Sequence, residues 1–364
     1  MVQKIIKVIV FVITIISIFF LFLSFPAWYV SPLRTSFFSF MGIAFPIILI
    51  VNVLCLLFWI ILKKWKVALI IVIGLIVCYK PITTFFPLNF KSQSIPEKSL
   101  KVLTYNVMGF LSEAQRNSAH PLLEYVAKID ADIVCLQEYM ISKTGKSLLT
   151  QKDVEKVLSK YPYRSITGLE YSGKYHTYGL ACFSKYPITS TREFTFESSF
   201  NGAAVYTIDV NGETYLVANN HLESNKISDS DKKLYGDFLV KRNSETLTKV
   251  TSNIRRRLGR GYNKRATQVQ TITDYLDRQE YDKLIVCGDF NDTPISYAYK
   301  KMKGDLNDAY TSTGFGPGIT YYEKFFLFRI DYILHSKNLK AHKTTVDRVK
   351  FSDHYPVLTH LTEQ

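Results

Sequence analysis

A chain of 364 residues, 47% hydrophobic and 21% charged, with a formal net charge of +14, has room for two domains or for one large domain with an appendage. The apolar content excludes a disordered, solvated chain. The basic balance, with a pI of about 9.3, points to anionic partners: nucleic acid, phospholipid surfaces or phosphorylated metabolites.

Three apolar runs open the chain: about Val8 to Phe25, about Phe37 to Leu62, and Trp65 to Tyr79, or to Phe86 if Lys80 snorkels. A spanning helix needs roughly 20 mostly apolar residues. The first two runs meet that length and the third is marginal. Trp28, Tyr29, Trp65, Phe85 and Phe86 fall near the ends, where aromatic belts sit. Two further apolar runs and the lack of a small-x-small site speak for an anchor over a cleaved signal peptide. Residues 1–86 are therefore expected to form a multi-pass membrane domain with three transmembrane helices. Lys4 and Lys7 precede the first run, and Lys63, Lys64 and Lys66 separate the second from the third. The positive-inside rule puts these lysines in the cytoplasm, and three spans then leave the rest of the chain outside. If the third run does not span, the rest is cytoplasmic. Residues 87–99, polar with two prolines, read as a linker.

From about residue 100 to 364 the pattern is that of a globular domain. "KVLTYNV", "ADIVCLQE", "GLACFSKYPI", "AAVYTIDV", "ETYLVANNHL", "KLIVCGDF", "RIDYILHS" and "HYPVLTHL" are short and rich in Val, Ile, Tyr and Thr, and read as strands. "HPLLEYVAKID", "QKDVEKVLSKY" and "TQVQTITDYLDR" carry apolar residues at helical spacing. Strands mixed with helices predict an α/β or α+β domain with two sheets and helices outside. Cys135, Cys182 and Cys287 fall inside strand-like runs, and Cys55 and Cys78 inside membrane-like runs. With no CxxC or Cys/His spacing, all five read as buried free thiols.

Acids, amides and histidines gather at the C-terminal ends of the predicted strands, where loops present functional groups on a rigid scaffold. Asn106 ends the first strand and Glu138 the second. Asn219, Asn220 and His221 end "LVANNH", and Asp289 and Asn291 close "IVCGDFN". Asp331 lies in "RIDYI", and Asp353 and His354 in "SDHYP". A single Asp after a strand is ordinarily a turn or helix cap, and a single His there is ordinarily structural. Together they form a set: carboxylates with amide oxygens suit a hard cation, and histidines without cysteine ligands suit phosphate contact and proton transfer. Metal-assisted hydrolysis of a phosphate ester needs this combination.

The order Asn, Glu, His, "GDFN", "IDY" and "SDH", over about residues 100–361, resembles the endonuclease/exonuclease/phosphatase superfamily. "YGLACFSKYPI" is similar to a strand that recurs in it. Members include pancreatic-type deoxyribonucleases, abasic-site endonucleases, neutral sphingomyelinases and inositol-polyphosphate phosphatases. The resemblance implies a four-layer sandwich of two mixed β-sheets flanked by helices. It implies that Glu138, assisted by Asn106 and with Asp353 nearby, holds Mg²⁺ or Mn²⁺, and it leaves open whether one or two metals act. It implies that Asp289 orients or deprotonates the attacking water and that Asn291 holds water and a phosphate oxygen. His221 is expected to contact phosphate and protonate the leaving group, and His354, oriented by Asp331, to stabilise phosphate. Asn220, Asn291 and His221 are the expected substrate contacts.

The expected function is a membrane-tethered, divalent-metal-dependent hydrolase of phosphate esters, with nucleic acid as first substrate. A phospholipid, sphingolipid or inositol phosphate is the alternative, and a non-catalytic membrane-anchored binding protein the second. The intact residue set argues against the last. The bilayer is an expected partner through the N-terminal helices, and no obligate protein partner is evident. Between residues 232 and 265 lie Lys232, Lys233, Lys241, Arg242, Lys249, Arg255, Arg256, Arg257, Arg260, Lys264 and Arg265, opposed only by Asp237 and Glu245. The stretch reads either as an electropositive surface beside the site or as a solvated basic helix pair. Tyr171, Tyr175, His176 and Tyr178 mark a loop that either touches substrate or packs locally.

Overall fold

The computed structural model describes residues 1–90, 94–111, 120–145, 149–225, 244–323 and 326–364, leaving out the side chains of 244–251. Lys232, Lys233, Asp237, Lys241 and Arg242 lie outside the described residues.

The N-terminal region is a bundle of α1 (Val2–Ser24), α2 (Phe37–Ile61), α3 (Trp65–Val77) and α4 (Tyr79–Phe85). Val2–Trp28 and Phe37–Ile61 are each long and apolar enough to cross a membrane, and α3 with α4 forms a pair bent by 69°. α1 begins at Val2, so Lys4 and Lys7 lie in its first two turns rather than before it; their long stems allow this at a helix end. The apolar helices are joined by a few polar contacts. Asn52 Nδ2 donates to the Ser17 and Ile48 carbonyls at 3.1 and 2.9 Å, and Trp59 Nε1 donates to Thr14 Oγ1 at 2.9 Å. Small and hydroxylated residues of this kind hold helices together where apolar surface alone gives no preference.

The remainder is a four-layer sandwich. One sheet runs β13-β14-β1-β2-β4-β3 and the other β5-β6-β7-β8-β12-β9. The first comprises Leu339–Val346 (β13), Val357–Glu363 (β14), Leu100–Asn106 (β1), Ile133–Ser142 (β2), His176–Ser184 (β4) and Tyr163–Gly168 (β3). The second comprises Ile188–Thr195 (β5), Gly202–Val210 (β6), Glu213–His221 (β7), Lys283–Asp289 (β8), Asp331–His335 (β12) and Asn307–Asp308 (β9). A separate hairpin pairs β10 (Tyr321–Glu323) with β11 (Phe326–Phe328).

Both faces of the central strands are buried, which explains their nearly unbroken apolar runs. Val102, Ile133, Val217 and Ile285 fill the space between the sheets together with Cys135, Cys182 and Cys287. Their neighbours Leu103 and Val134 face α5 (Pro121–Ile129) and α6 (Gln151–Val157). Leu216 and Val286 face α7 (Ser244–Leu276) and α8 (Tyr297–Lys303) on the opposite side. All five cysteines are buried and free. α7 is one helix of 33 residues, so the helix expected near "TQVQTITDYLDR" extends back through the arginine run. A short helix, α9 (Ala309–Thr313), follows β9.

The helix bundle is fastened to the sandwich at several points. Trp28 Nε1 donates to the Pro294 carbonyl at 2.8 Å, and Phe40 packs edge-on against Tyr262. A Cβ on Gly42 would lie 2.0 Å from the Ile295 carbonyl oxygen, so only glycine permits this approach of α2 to the loop after β8. The guanidinium of Arg329, buried against Asp308 Oδ2 at 3.3 Å, also donates to the Thr84 carbonyl at the end of α4. The start of the expected linker is held as well: Asn89 Nδ2 donates to the carbonyls of Thr311 and Gly314 at 3.0 and 2.8 Å.

Candidate active site

Each sheet contains one parallel pair, β1 with β2 and β7 with β8. Parallel neighbours end at the same edge, so Asn106, Glu138, His221 and Asp289 meet at one end of the sandwich. β12 runs antiparallel to β8 with Asp331 opposite Asp289, which brings the start of that strand to the same end. β14 is antiparallel to β1, and the turn before it delivers Asp353 and His354. The expected strand end at Glu138 is a kink instead. β2 continues to Ser142 through a bulge between Leu136 and Tyr139, and Glu138 has φ +51°. A bulge re-aims one side chain without ending the strand.

Asp289 is the hub and is almost fully buried. Asn106 Nδ2 donates to Asp289 Oδ2 at 3.1 Å and to Glu138 Oε1 at 3.0 Å. Asn291 donates its backbone N–H to Asp289 Oδ1 at 2.8 Å and its Nδ2 to Oδ2 at 3.2 Å. That double contact requires the left-handed backbone of Asn291, φ +52°, which asparagine tolerates better than most residues. His354 Nδ1 is 2.9 Å from Asp331 Oδ2, and its Nε2 is 3.7 Å from Asp289 Oδ2. His221 Nδ1 pairs with the Phe200 carbonyl at 3.0 Å, which turns Nε2 toward Glu138 at 3.5 Å and Asp289 at 3.8 Å.

The electrostatics follow from burial and crowding. Burial pushes Asp289 up to about 6, reinforced by Asp331 and opposed by His354 and His221. Burial pulls His354 down, but Asp331 and Asp289 outweigh it and leave the ring at about 10. Asp353 is raised, first by burial and then, against the pull of His354, by Glu138. At neutral pH His354 is therefore a cation held between carboxylates, and Asp289 is close to its own titration.

The cleft over Asp289 is lined by Glu138, Asn291, Asp353 and His354 on its polar side. Asn220 does not join them. Its amide donates to the carbonyls of Ala218 and Cys287 at 3.1 and 2.9 Å, because alternation along β7 turns it to the face opposite His221. Asn219 faces inward, where Gln137 Nε2 donates to its Oδ1 at 2.6 Å. The aromatic loop packs on itself: Tyr171 lies over Phe200, with ring centroids 4.3 Å apart, and edge-on to Tyr178.

Several residues that brace or line the cleft had no signal in sequence. Arg265, in the stretch that reads either as an electropositive surface or as a solvated basic helix pair, is fully buried and binds Asp292 Oδ2 through Nε at 3.0 Å. It thereby braces the loop after Asn291. Tyr262 from α7, Tyr321, Phe326 and Phe328 from the β10–β11 hairpin, and Ile43 from α2 complete the wall. Of the remaining basic residues, Arg255, Arg256 and Arg260 are exposed.

Residues 103–354 match the model of the endonuclease/exonuclease/phosphatase family, and residues 6–85 match that of a domain of unknown function. No curated protein matches the chain in sequence. Among solved structures, an endonuclease/exonuclease/phosphatase family protein from Leptotrichia buccalis is 20% identical, with TM-score 0.50, covering 72% of this chain and 99% of its own. An endonuclease/exonuclease/phosphatase from Beutenbergia cavernae is 16% identical, with TM-score 0.50, covering 73% and 72%. Humanized D. rerio TDP2 is 14% identical, with TM-score 0.51, covering 72% and 99%. At such identities the likeness is one of fold.

Proposed function

The chain belongs to the endonuclease/exonuclease/phosphatase family of phosphoester hydrolases, and from that premise we propose a membrane-anchored, divalent-metal-dependent enzyme that cleaves its ester by direct water attack. The observation that carries this reading is the convergence of Asn106, Asn291, His221 and His354 on the buried Asp289 carboxylate.

The oxygen donors fit a hard cation. Glu138 and Asp353 face each other closely enough for Glu138 to raise Asp353, a repulsion that a cation between them relieves. Rotating the Asn106 amide would turn its oxygen toward Glu138 and Asp289, which is favourable only with a positive charge there. Asp289, Asp331 and His354 also come within 4.8 Å of one another, but a cation among them would break the 2.9 Å His354–Asp331 bond. Glu138, Asp353 and Asn106 are therefore the better holders. When bound, Mg²⁺ or Mn²⁺ would polarise the phosphoryl oxygen and acidify a bound water.

The protein groups divide the rest. Asp289, near pH 6 in its titration, takes the proton of the attacking water. Asn291, tied to Asp289 through both backbone and side chain, steers that water and one phosphate oxygen. His354, kept protonated by Asp331, donates Nε2–H to a phosphoryl oxygen as negative charge develops. His221 supplies a proton to the departing alkoxide. The new P–O bond forms as the bond to the leaving oxygen breaks, and the proton gained by Asp289 balances the one lost by His221.

The positive-inside rule and the helix ends support an extracytoplasmic catalytic domain. The sandwich contacts Trp28, Gly42 and Thr84, whereas Lys4, Lys7 and Lys63–Lys66 belong to the other ends of the same helices. Protease added to intact spheroplasts should cut residues 98–364; protection until lysis would reverse the orientation. Nucleic acid, the first substrate expected from the sequence, is supported by the exposed Arg255, Arg256 and Arg260. The activity itself is tested with the full chain in detergent on bis(4-nitrophenyl) phosphate. Turnover should vanish in excess chelator and return with Mg²⁺ or Mn²⁺; undiminished turnover in chelator rejects the metal-dependent mechanism.

A further inference from the structure

We propose that the phosphate ester hydrolysed here is carried on a lipid, and that the outer turns of α2 and the β10–β11 hairpin form the wall along which its chain enters the cleft. The proposal rests on the membrane-anchored phosphoesterase reading and deepens it by naming the substrate class.

The first observation is depth. Ile43 of α2 lines the same cleft as Asp289 and His354. It is the seventh residue of a helix running Phe37–Ile61, about 9 Å along its axis. At 25 residues the helix is about 37 Å long, roughly 7 Å more than the hydrocarbon core of a bilayer. With its far end beside Lys63 at one interface, the surplus turns stand among the head groups of the other. Ile43 then lies at the boundary between head groups and hydrocarbon.

The second observation is the polarity of the two sides. The floor is acidic and amide-rich, but the wall is Ile43, Phe326, Phe328 and Ile330. Leu327, between the two phenylalanines, is 59% exposed. A soluble sugar phosphate has nothing to bury there and a nucleic acid only a base to stack on Phe326 or Phe328, whereas an acyl or alkyl chain gains along the whole wall, Ile43 and Ile330 included. This apolar wall is continuous with a membrane-length helix, which identifies its occupant as lipid.

The third observation is that the cleft has a fixed attitude to the helices. Trp28 holds the Pro294 carbonyl and Gly42 abuts Ile295, so the loop after Asn291 is seated directly on the bundle. Arg329 fastens the opposite flank to Thr84. The exposed arginines fit the same arrangement. Arg255, Arg256 and Arg260 share a recess with Ser36, the residue before α2, at the head-group level, where guanidinium groups can hydrogen-bond the phosphate that every phospholipid carries. Their position beside the membrane helix favours lipid over the nucleic acid that composition alone suggests.

The test uses the full chain in phosphatidylcholine nanodiscs with Mn²⁺, on alkyl 4-nitrophenyl phosphates from methyl to dodecyl and on a single-stranded DNA oligonucleotide. kcat/KM should rise about tenfold or more from methyl to octyl as the chain finds the wall. Ile43→Gln and, on the exposed hairpin, Leu327→Asp should each lower the octyl-to-methyl ratio by about threefold or more. A flat series, a ratio untouched by both variants, or DNA cleaved better than every alkyl ester overturns the lipid proposal and leaves the phosphoesterase reading standing. Absence of Mn²⁺-dependent turnover on all of them overturns that reading and this proposal together.

Discussion

The floor of the cleft comes from strand ends of the sandwich, and its wall from a membrane-length helix and an aromatic hairpin. On the floor, Asn106 and Asp289 are 1% exposed and His354 4%, and their polar atoms bond mainly to one another. On the wall, Ile43 is half-buried and Leu327 largely exposed. The floor stores a fixed arrangement of charge, which is where electrostatic catalysis arises. The wall offers apolar area, which on the lipid proposal selects substrates but stabilises no developing charge. Substitutions on the floor should therefore cost turnover, and substitutions on the wall or its fastenings should cost selectivity or stability.

The sharpest separation is expected at Asp289. Asp289→Asn keeps the shape of the side chain but removes the proton acceptor, and kcat should fall by about 10²–10⁴-fold with an unchanged circular dichroism spectrum. Near-wild-type turnover would refute the division between floor and wall. Unfolding of the variant would return Asp289 to a structural role.

Asp331→Asn should be milder and should move the pH profile. On the proposed mechanism turnover needs Asp289 ionised and both His354 and His221 protonated, so in the metal-free groups Asp289, near 6, sets the acid limb and His354, at about 10, is the upper bound of the alkaline one. A bound cation would lower the acid limb further. Asp331 raises both groups. Its loss therefore moves Asp289 and His354 both to lower pH, and His354 more visibly, because Asp331 acts on it through a hydrogen bond as well as through charge. An alkaline limb that stays in place would mean that His354 is not the group titrating there.

The smallest effect belongs to the fastening. Trp28→Phe removes the N–H that satisfies the Pro294 carbonyl, and an unpaired buried carbonyl costs about 1–3 kcal/mol. The melting temperature should fall, with kcat reduced by less than about tenfold. A loss as large as that of Asp289→Asn would erase the distinction between the two regions.

The sequence announced the floor far better than the wall. "GDFND", "RIDYI" and "SDHYP" stand out because each acid interrupts or closes an apolar run, so the strand and its cargo are read together. All eight expected strands form, because their faces are buried on both sides. The four edge strands β3, β5, β9 and β13 and the β10–β11 hairpin have no counterpart in that reading: β9, β10 and β11 are only two or three residues long, and β3 and β5 have mostly exposed side chains and lack the apolar signal. Asn220 is among the substrate contacts expected from the sequence, but alternation puts Asn219, not Asn220, on the face of His221, and the Asn220 amide donates to the Ala218 and Cys287 carbonyls instead. Arg265 was hidden among ten other basic residues between 232 and 265; its partner Asp292 lies 27 positions away, a pairing that no local pattern reveals. The seating of Gly42 on Ile295 is a contact across two regions, invisible to periodicity within either.

The most direct test of water attack guided by Asp289 is a single turnover of a phosphate ester in water labelled with oxygen-18. Direct water attack puts the label in the phosphate-bearing product, none in the released alcohol, and leaves no phospho-enzyme on rapid quenching. Label in the alcohol, or a covalent phospho-enzyme, would contradict it.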